Sequence, residues 1–174
     1  MKHDKMKKML QDYFGIGDCK MEIEYKLLDL QAGQEVPYEL LLLADPSKAL
    51  VDNYIARGRC YLAYIDDELV GEFVLIPTHP RTIEIVNIAV AELHHGRGIG
   101  KRLVLEAIEE ARRLNARSVE IGTGNSSLLQ LRLYQRCCFR ITGVDRDFFV
   151  RHYEEEIIED GLPCRDMIRL RLDL

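Results

Sequence analysis

No apolar run in this chain is long enough to cross a bilayer. Leu40 to Ala44 is a run of only a few residues, against the roughly 20 that a membrane helix needs. The basic N-terminus has no apolar stretch behind it, so it does not read as a secretory signal. The five cysteines (Cys19, Cys60, Cys137, Cys138 and Cys164) are odd in number and never spaced C-x-x-C. They indicate neither a disulfide framework nor a zinc site, and they suit a reducing cytoplasm. Positive charge is not in excess: the net charge is -5, which argues against nucleic acid as a partner. There is no internal repeat and no low-complexity segment. What is present is ordinary for a globular protein, with 47% apolar and 30% charged residues. A chain of 174 residues reads as one domain with room for a proper core.

The chain is organised around Thr82 to Leu103, TIEIVNIAVAELHHGRGIGKRL. Ile83, Ile85, Ile88 and Val90 are β-branched in an apolar setting, the pattern of a strand covered on both faces. Gly96-Arg97-Gly98-Ile99-Gly100 breaks it. From Ile99 the period changes: Leu103, Ala107 and Ala111 recur every four residues, as on an amphipathic helix. Strand, glycine turn and helix N-terminus together make an anion site, because the first-turn N–H groups are unpaired and glycine lets a phosphate approach. A Walker loop is not formed, since Arg102 follows Gly100-Lys101 where Ser or Thr would bind magnesium. The G-x-G-x-G spacing also differs from the dinucleotide G-x-G-x-x-G.

In order, residues 1–20 read as an N-terminal helix or loose arm, and residues 21–174 as a single domain. Met21 to Leu30 reads as a first strand. Val36 to Ala44 and Ser47 to Arg57 read as short helices parted by Asp45-Pro46. Cys60 to Ile65 and Leu69 to Pro77 form a hairpin around Asp66-Asp67-Glu68. After the central strand and helix come a strand at Ser118 to Gly122 and a helix from Asn125-Ser126 to about Cys137. Phe139 to Val144 and Asp166 to Leu172 close the chain as strands. The fold class is α/β (α+β): a mixed, largely antiparallel sheet flanked by helices, with a crossover after the central strand.

His95-Gly96-Arg97-Gly98-Ile99-Gly100 resembles the Q/R-x-x-G-x-G/A signature of the GNAT superfamily, the acetyl-CoA-dependent N-acetyltransferases. His95 stands where Gln or Arg is usual. Asn125 to Phe139, NSSLLQLRLYQRCCF, resembles that family's N-x-x-A-x-x-x-Y-x-x-x-G-F helix, with a longer gap before Tyr134 and Cys138 in place of glycine. The resemblance covers about Met21 to Val144. It implies that acetyl-CoA is the donor and that no metal is needed. It places the cofactor on Ile88, Ala89, Val90, His95, Gly96, Arg97, Gly98, Ile99, Gly100 and Lys101, with Asn125 and Ser127 (or Ser126) along the pantetheine. It makes Tyr134 the acid that protonates the departing thiolate, and an N–H near Ala89 or Val90 the oxyanion donor. Asn125 would equally serve as a helix N-cap, and Tyr134 as core.

Glu84 is a carboxylate within an apolar strand, where burial raises its pKa toward that of a base. Its register resembles the general-base glutamate of the histone-acetyltransferase branch. The competing reading is a solvent-facing glutamate opposite a lysine or arginine. Strand alternation turns Asn87 to the opposite face from Glu84. His94 and His95 diverge and have no third ligand, so no metal is indicated. Glu154-Glu155-Glu156 with Glu159 and Asp160 reads as a solvated face that would also attract a cation. The implied activity is acetyl transfer to the primary amine of a small cationic molecule by direct attack. A protein acceptor, a non-catalytic acyl-CoA sensor and an unrelated phosphate-binding regulatory protein are the other readings. The expected partners are a small-molecule amine, with neither nucleic acid nor membrane, in a cytoplasmic protein that leaves room for a homodimer.

Overall fold

Asp66 and Asp67 both take positive φ, 50° and 64°, and make a two-residue turn of the kind that matches the twist of a hairpin. That hairpin joins β2 (Arg59–Ile65) to β3 (Glu68–His79) and starts the sheet. The computed structural model describes residues 22–159 and 161–174, so the helix or arm expected over residues 1–20 lies outside the described part. The other strands are β1 (Glu24–Leu27), β4 (Thr82–Val90), β5 (Ser118–Gly124), β6 (Arg140–Asp145), β7 (Ile158–Glu159), β8 (Leu162–Pro163) and β9 (Met167–Asp173). The helices are α1 (Tyr38–Ala44), α2 (Lys48–Ile55), α3 (Ile99–Arg113), α4 (Leu128–Arg136) and α5 (Phe148–His152), with a 3-10 turn at Glu92–His94. β1 is shorter than the alternation from Met21 to Leu30 suggested, because it pairs with β2 only from Glu24 to Leu27.

The main sheet runs β1-β2-β3-β4-β5-β9-β6. Among the described strands, only β4 and β5 pair in parallel, with α3 as their crossover. This is the mixed, largely antiparallel sheet expected from the sequence. Ile99, Leu103, Val104, Ala107, Ile108 and Ala111 bury one stripe of α3 against one face. α1 and α2 cover the other face through Leu41, Val51, Tyr54 and Ile55. Ser47 caps α2 by accepting from the Leu50 amide. Asn115 takes the left-handed conformation after α3. The amides of Asn115 and Ala116 then close back onto the carbonyls of Arg112 and Ala111, a Schellman cap.

One irregularity positions the site. Ile85 pairs with Leu75 and Asn87 with Val74, so Val86 is an extra residue in β4. A bulge bends its strand and raises the local twist. β4 and β5 accordingly pair only from Thr82–Ser118 to Ile85–Ile121, and then part. The bulge also corrects the expectation for Asn87. Ile83 and Ile85 pack with α3, so Glu84 faces the α1–α2 side. Asn87 faces the same side, donating to the Leu41 carbonyl at 3.0 Å and the Tyr54 hydroxyl at 2.5 Å. The extra residue inverts the alternation that would have separated them.

Candidate active site

The glycine turn lies where β4 gives way to α3. Gly96 and Gly98 have φ of 75° and 78°, backbone that L side chains rarely adopt. A Cβ at either would meet no atom within 4 Å, so the space before the turn is open. Gly98 is the N-cap of α3, and no side chain accepts from the first-turn amides. Ile99, Gly100 and Lys101 thus present N–H groups and the positive end of the helix to an anion. These features fit a pyrophosphate. His95, at the start of the turn, folds back and donates from Nε2 to the Val90 carbonyl at 2.8 Å. His94 goes the other way. It is buried, with Nε2 at 3.1 Å from Glu68 Oε1 and Nδ1 accepting from Arg97 at 2.7 Å. The two imidazoles do not converge, and no metal-binding cluster occurs among the described residues.

The parting of β4 and β5 opens a cleft of about 500 Å³. Ile88, Ala89, Val90 and His95 line one wall, and Ser127 and Tyr134 line the other. The Ala91 amide bonds to Val70 on β3. By alternation Ala89 also turns its amide to β3, while Ile88 and Val90 turn theirs to the cleft. Val90 is therefore the better placed of the two expected oxyanion donors. Tyr134 is 5% exposed, and burial pushes its phenol well above the usual range. The phenol stays protonated at neutral pH and can donate.

Two expected residues sit differently. Glu84 lies one residue before the cleft lining begins, in the stretch still paired with β5. Its carboxylate accepts from Arg169 at 2.9 Å. Burial raises its pKa, and the Arg169 charge pulls it back only in part. Asn125 neither caps α4 nor turns to the cleft. Its amide donates to the Pro163 carbonyl at 3.1 Å, and its oxygen accepts from the Arg165 and Asp166 amides at 2.8 and 2.9 Å. It latches the segment before β9.

The cleft also contains residues that motif reading missed. Asp45 is buried and lines it, accepting from the Ser47 amide at 3.0 Å and the Tyr153 hydroxyl at 3.2 Å. Asp45-Pro46-Ser47 is legible as a turn, but only the fold shows which way its carboxylate faces. Glu159 accepts from both Ser126 and Ser127, at 2.9 and 2.5 Å. It was visible only as part of an acidic run; its neighbours Glu154, Glu155 and Glu156 line an adjoining pocket with Phe149 and Tyr153.

Residues 26–139 match the Acetyltransferase (GNAT) family. An uncharacterised N-acetyltransferase of Bacillus subtilis, YvbK, is 58% identical over 150 residues, covering 84% of this chain and 97% of the relative. A Bacillus subtilis acetyltransferase solved in complex with CoA superposes with a TM-score of 0.81 at 56% identity, over 88% of this chain and 99% of that one. A GNAT acetyltransferase from Elizabethkingia anophelis with acetyl-CoA bound gives a TM-score of 0.86 at 46% identity, over 89% and 100%. The parted strands and the open glycine turn are thus found in a chain whose relatives hold CoA, and this chain belongs to the GNAT family of acetyltransferases, with acetyl-CoA as its acetyl donor.

Proposed function

We propose that the protein acetylates the primary amine of a small cationic molecule by direct attack, with residues 21–174 acting as one catalytic domain. The observation that carries this reading is the charge of the cleft. Asp45, Glu92 and Glu159 line it, and among the described residues no lysine or arginine does. Carboxylates in a partly dry cleft raise the local concentration of a cation and orient it. Phe149 and Tyr153, whose ring centroids are 5.5 Å apart, line the same side and add faces that attract an ammonium group.

The residues divide the work. The glycine turn and the first turn of α3 hold the pyrophosphate, and Ser127 borders the pantetheine path. The Val90 amide, free of β5, donates to the thioester carbonyl and to the oxyanion that develops there. The amine attacks only when neutral, so it must lose a proton. Glu84, which immediately precedes Ile85 of the cleft lining, takes that proton through a water. Attack forms the C–N bond and a tetrahedral oxyanion. As that adduct collapses the C–S bond breaks, Tyr134 gives its proton to the departing thiolate, and the second proton shed by the nitrogen returns to the Tyr134 oxygen.

The test is a panel of amines differing in charge, scored by kcat/KM. Polyamines and aminosugars should lead, and Asp45→Asn should raise their KM by about tenfold, as for a lost partly buried charge pair. Glu84→Gln should lower kcat by about two to four powers of ten with CoA affinity kept. A neutral or anionic amine as the best substrate would sink the cationic reading. Full activity in Glu84→Gln would remove Glu84 as the base.

A further inference from the structure

A second cavity, of about 320 Å³, lies beside the C-terminal end of α3, at the opposite end of that helix from the glycine turn. Its charge is the reverse of the cleft's. Arg57, Arg59, His79 and Arg81 line it, and among the described residues no carboxylate does. In a chain of net charge -5, such a gathering of cations is not background. Among the described residues, no carboxylate is ion-paired with Arg57, Arg59 or Arg81. Arg59 shares the Tyr61 hydroxyl with Glu110, whose own ion pair is with Arg113, and Arg57 acts on Glu84 only at a distance.

Two turns bring these side chains to one rim. Between Arg57 and Arg59 the backbone presses onto its neighbours, and a Cβ on Gly58 would stand 2.7 Å from the Tyr54 carbonyl and 3.1 Å from that of Leu75. Pro80-Arg81 makes the turn from β3 to β4. Arg81 has φ 62°, a position where glycine or asparagine is usual. Its carbonyl accepts from the Arg117 and Ser118 amides at 2.7 and 3.3 Å, which fixes the turn against the start of β5. The floor is apolar, made by Leu75, Ile76, Ile83, Leu114 and Ala116. The last carbonyls of α3 are tied up by the Schellman cap, so the helix end does not repel an anion as strongly as an open one.

We propose that this cavity is an anion site separate from acetyl transfer, and that it takes a small organic oxyanion, a carboxylate or a phosphate monoester, with an apolar body about one ring in size. Guanidinium forks match the paired oxygens of both head groups. The apolar floor selects the body over a bare ion. The volume sits at the small end for ligand pockets.

The test uses the full chain saturated with CoA, so that the glycine turn is already occupied. Phenyl phosphate, benzoate and inorganic phosphate are titrated while backbone amide shifts are followed by NMR. Phenyl phosphate or benzoate should shift the amides of Arg57, Arg59, His79, Arg81 and Ala116 saturably, and whichever head group binds tighter names the source. Inorganic phosphate should bind at least tenfold more weakly than phenyl phosphate. Arg59→Gln with Arg81→Gln should weaken binding at least tenfold and leave CoA affinity and melting temperature unchanged. If that double variant unfolds, Arg81→Gln alone, at an exposed side chain, should still weaken binding severalfold. Shifts confined to the acetyl-transfer cleft, no saturation, or equal binding by the single variant would overturn the proposal. Equal affinity for inorganic phosphate would overturn the apolar body.

Discussion

Glu72 is wholly buried, and neither of its carboxyl oxygens has a hydrogen-bond partner. Burial pushes its pKa up to about 8, against a smaller opposing pull from the Ala89 amide. The consequence is a pH-dependent stability. Below the ordinary value of 4.5 the carboxyl is neutral whether the chain is folded or not, and its contribution is intact. As pH rises the unfolded chain ionises first, so stability is lost at up to about 1.4 kcal/mol per pH unit, levelling above the folded pKa. Glu72→Gln keeps the shape and removes the titration. Its melting temperature should gain on the wild type steadily between about pH 5 and 8, and parallel curves would show that Glu72 does not titrate there. Tyr134 gives a second test at this scale. No hydrogen bond among the described residues holds its hydroxyl. Tyr134→Phe should therefore leave the melting temperature unchanged, while kcat falls by about two powers of ten if the phenol protonates the thiolate. An unchanged kcat would make it a packing residue.

The unit of β4, turn and α3 was legible in the sequence because its signals are local. A period of two, a glycine cluster and a period near four each report on the backbone beside them. The glycines in that cluster are not equivalent. Gly98 needs its positive φ, and an L side chain there costs about 1–2 kcal/mol in backbone strain. A Cβ on Gly100 would rest 3.7 Å from Val90 Cγ2 and 3.8 Å from Leu133 Cδ2, ordinary contacts. Gly98→Ala should therefore lose most of the thermal stabilisation that CoA confers, and Gly100→Ala should keep it. Equal loss in both would mean that space before the turn, rather than backbone conformation, decides binding. The element least legible was the segment from Phe148 to Asp166. Its helix is only five residues long and its two short strands pair only with each other. No periodicity can register over so few residues.

At the scale of the whole molecule, there are two charge environments: an acidic cleft between β4 and β5 and a basic cavity beside the end of α3. Neither can be read from the sequence, since Asp45 lies far along the chain from Tyr153 and Glu159, and Arg57 from Arg81. The sequence by itself determined the strand–turn–helix unit, the order of elements outside Phe148 to Asp166, the family and the donor, because these rest on local patterns and on the glycine motif. Tertiary structure decided the rest. One extra residue, Val86, inverted the faces of β4, put Asn87 with Glu84, and parted β4 from β5. Asn125 was spent on holding Pro163, Arg165 and Asp166 rather than turned to the cleft. A side chain's direction depends on which partner across the sheet claims its hydrogen bonds. That competition is between residues distant in the chain, and it is settled only when the strands meet.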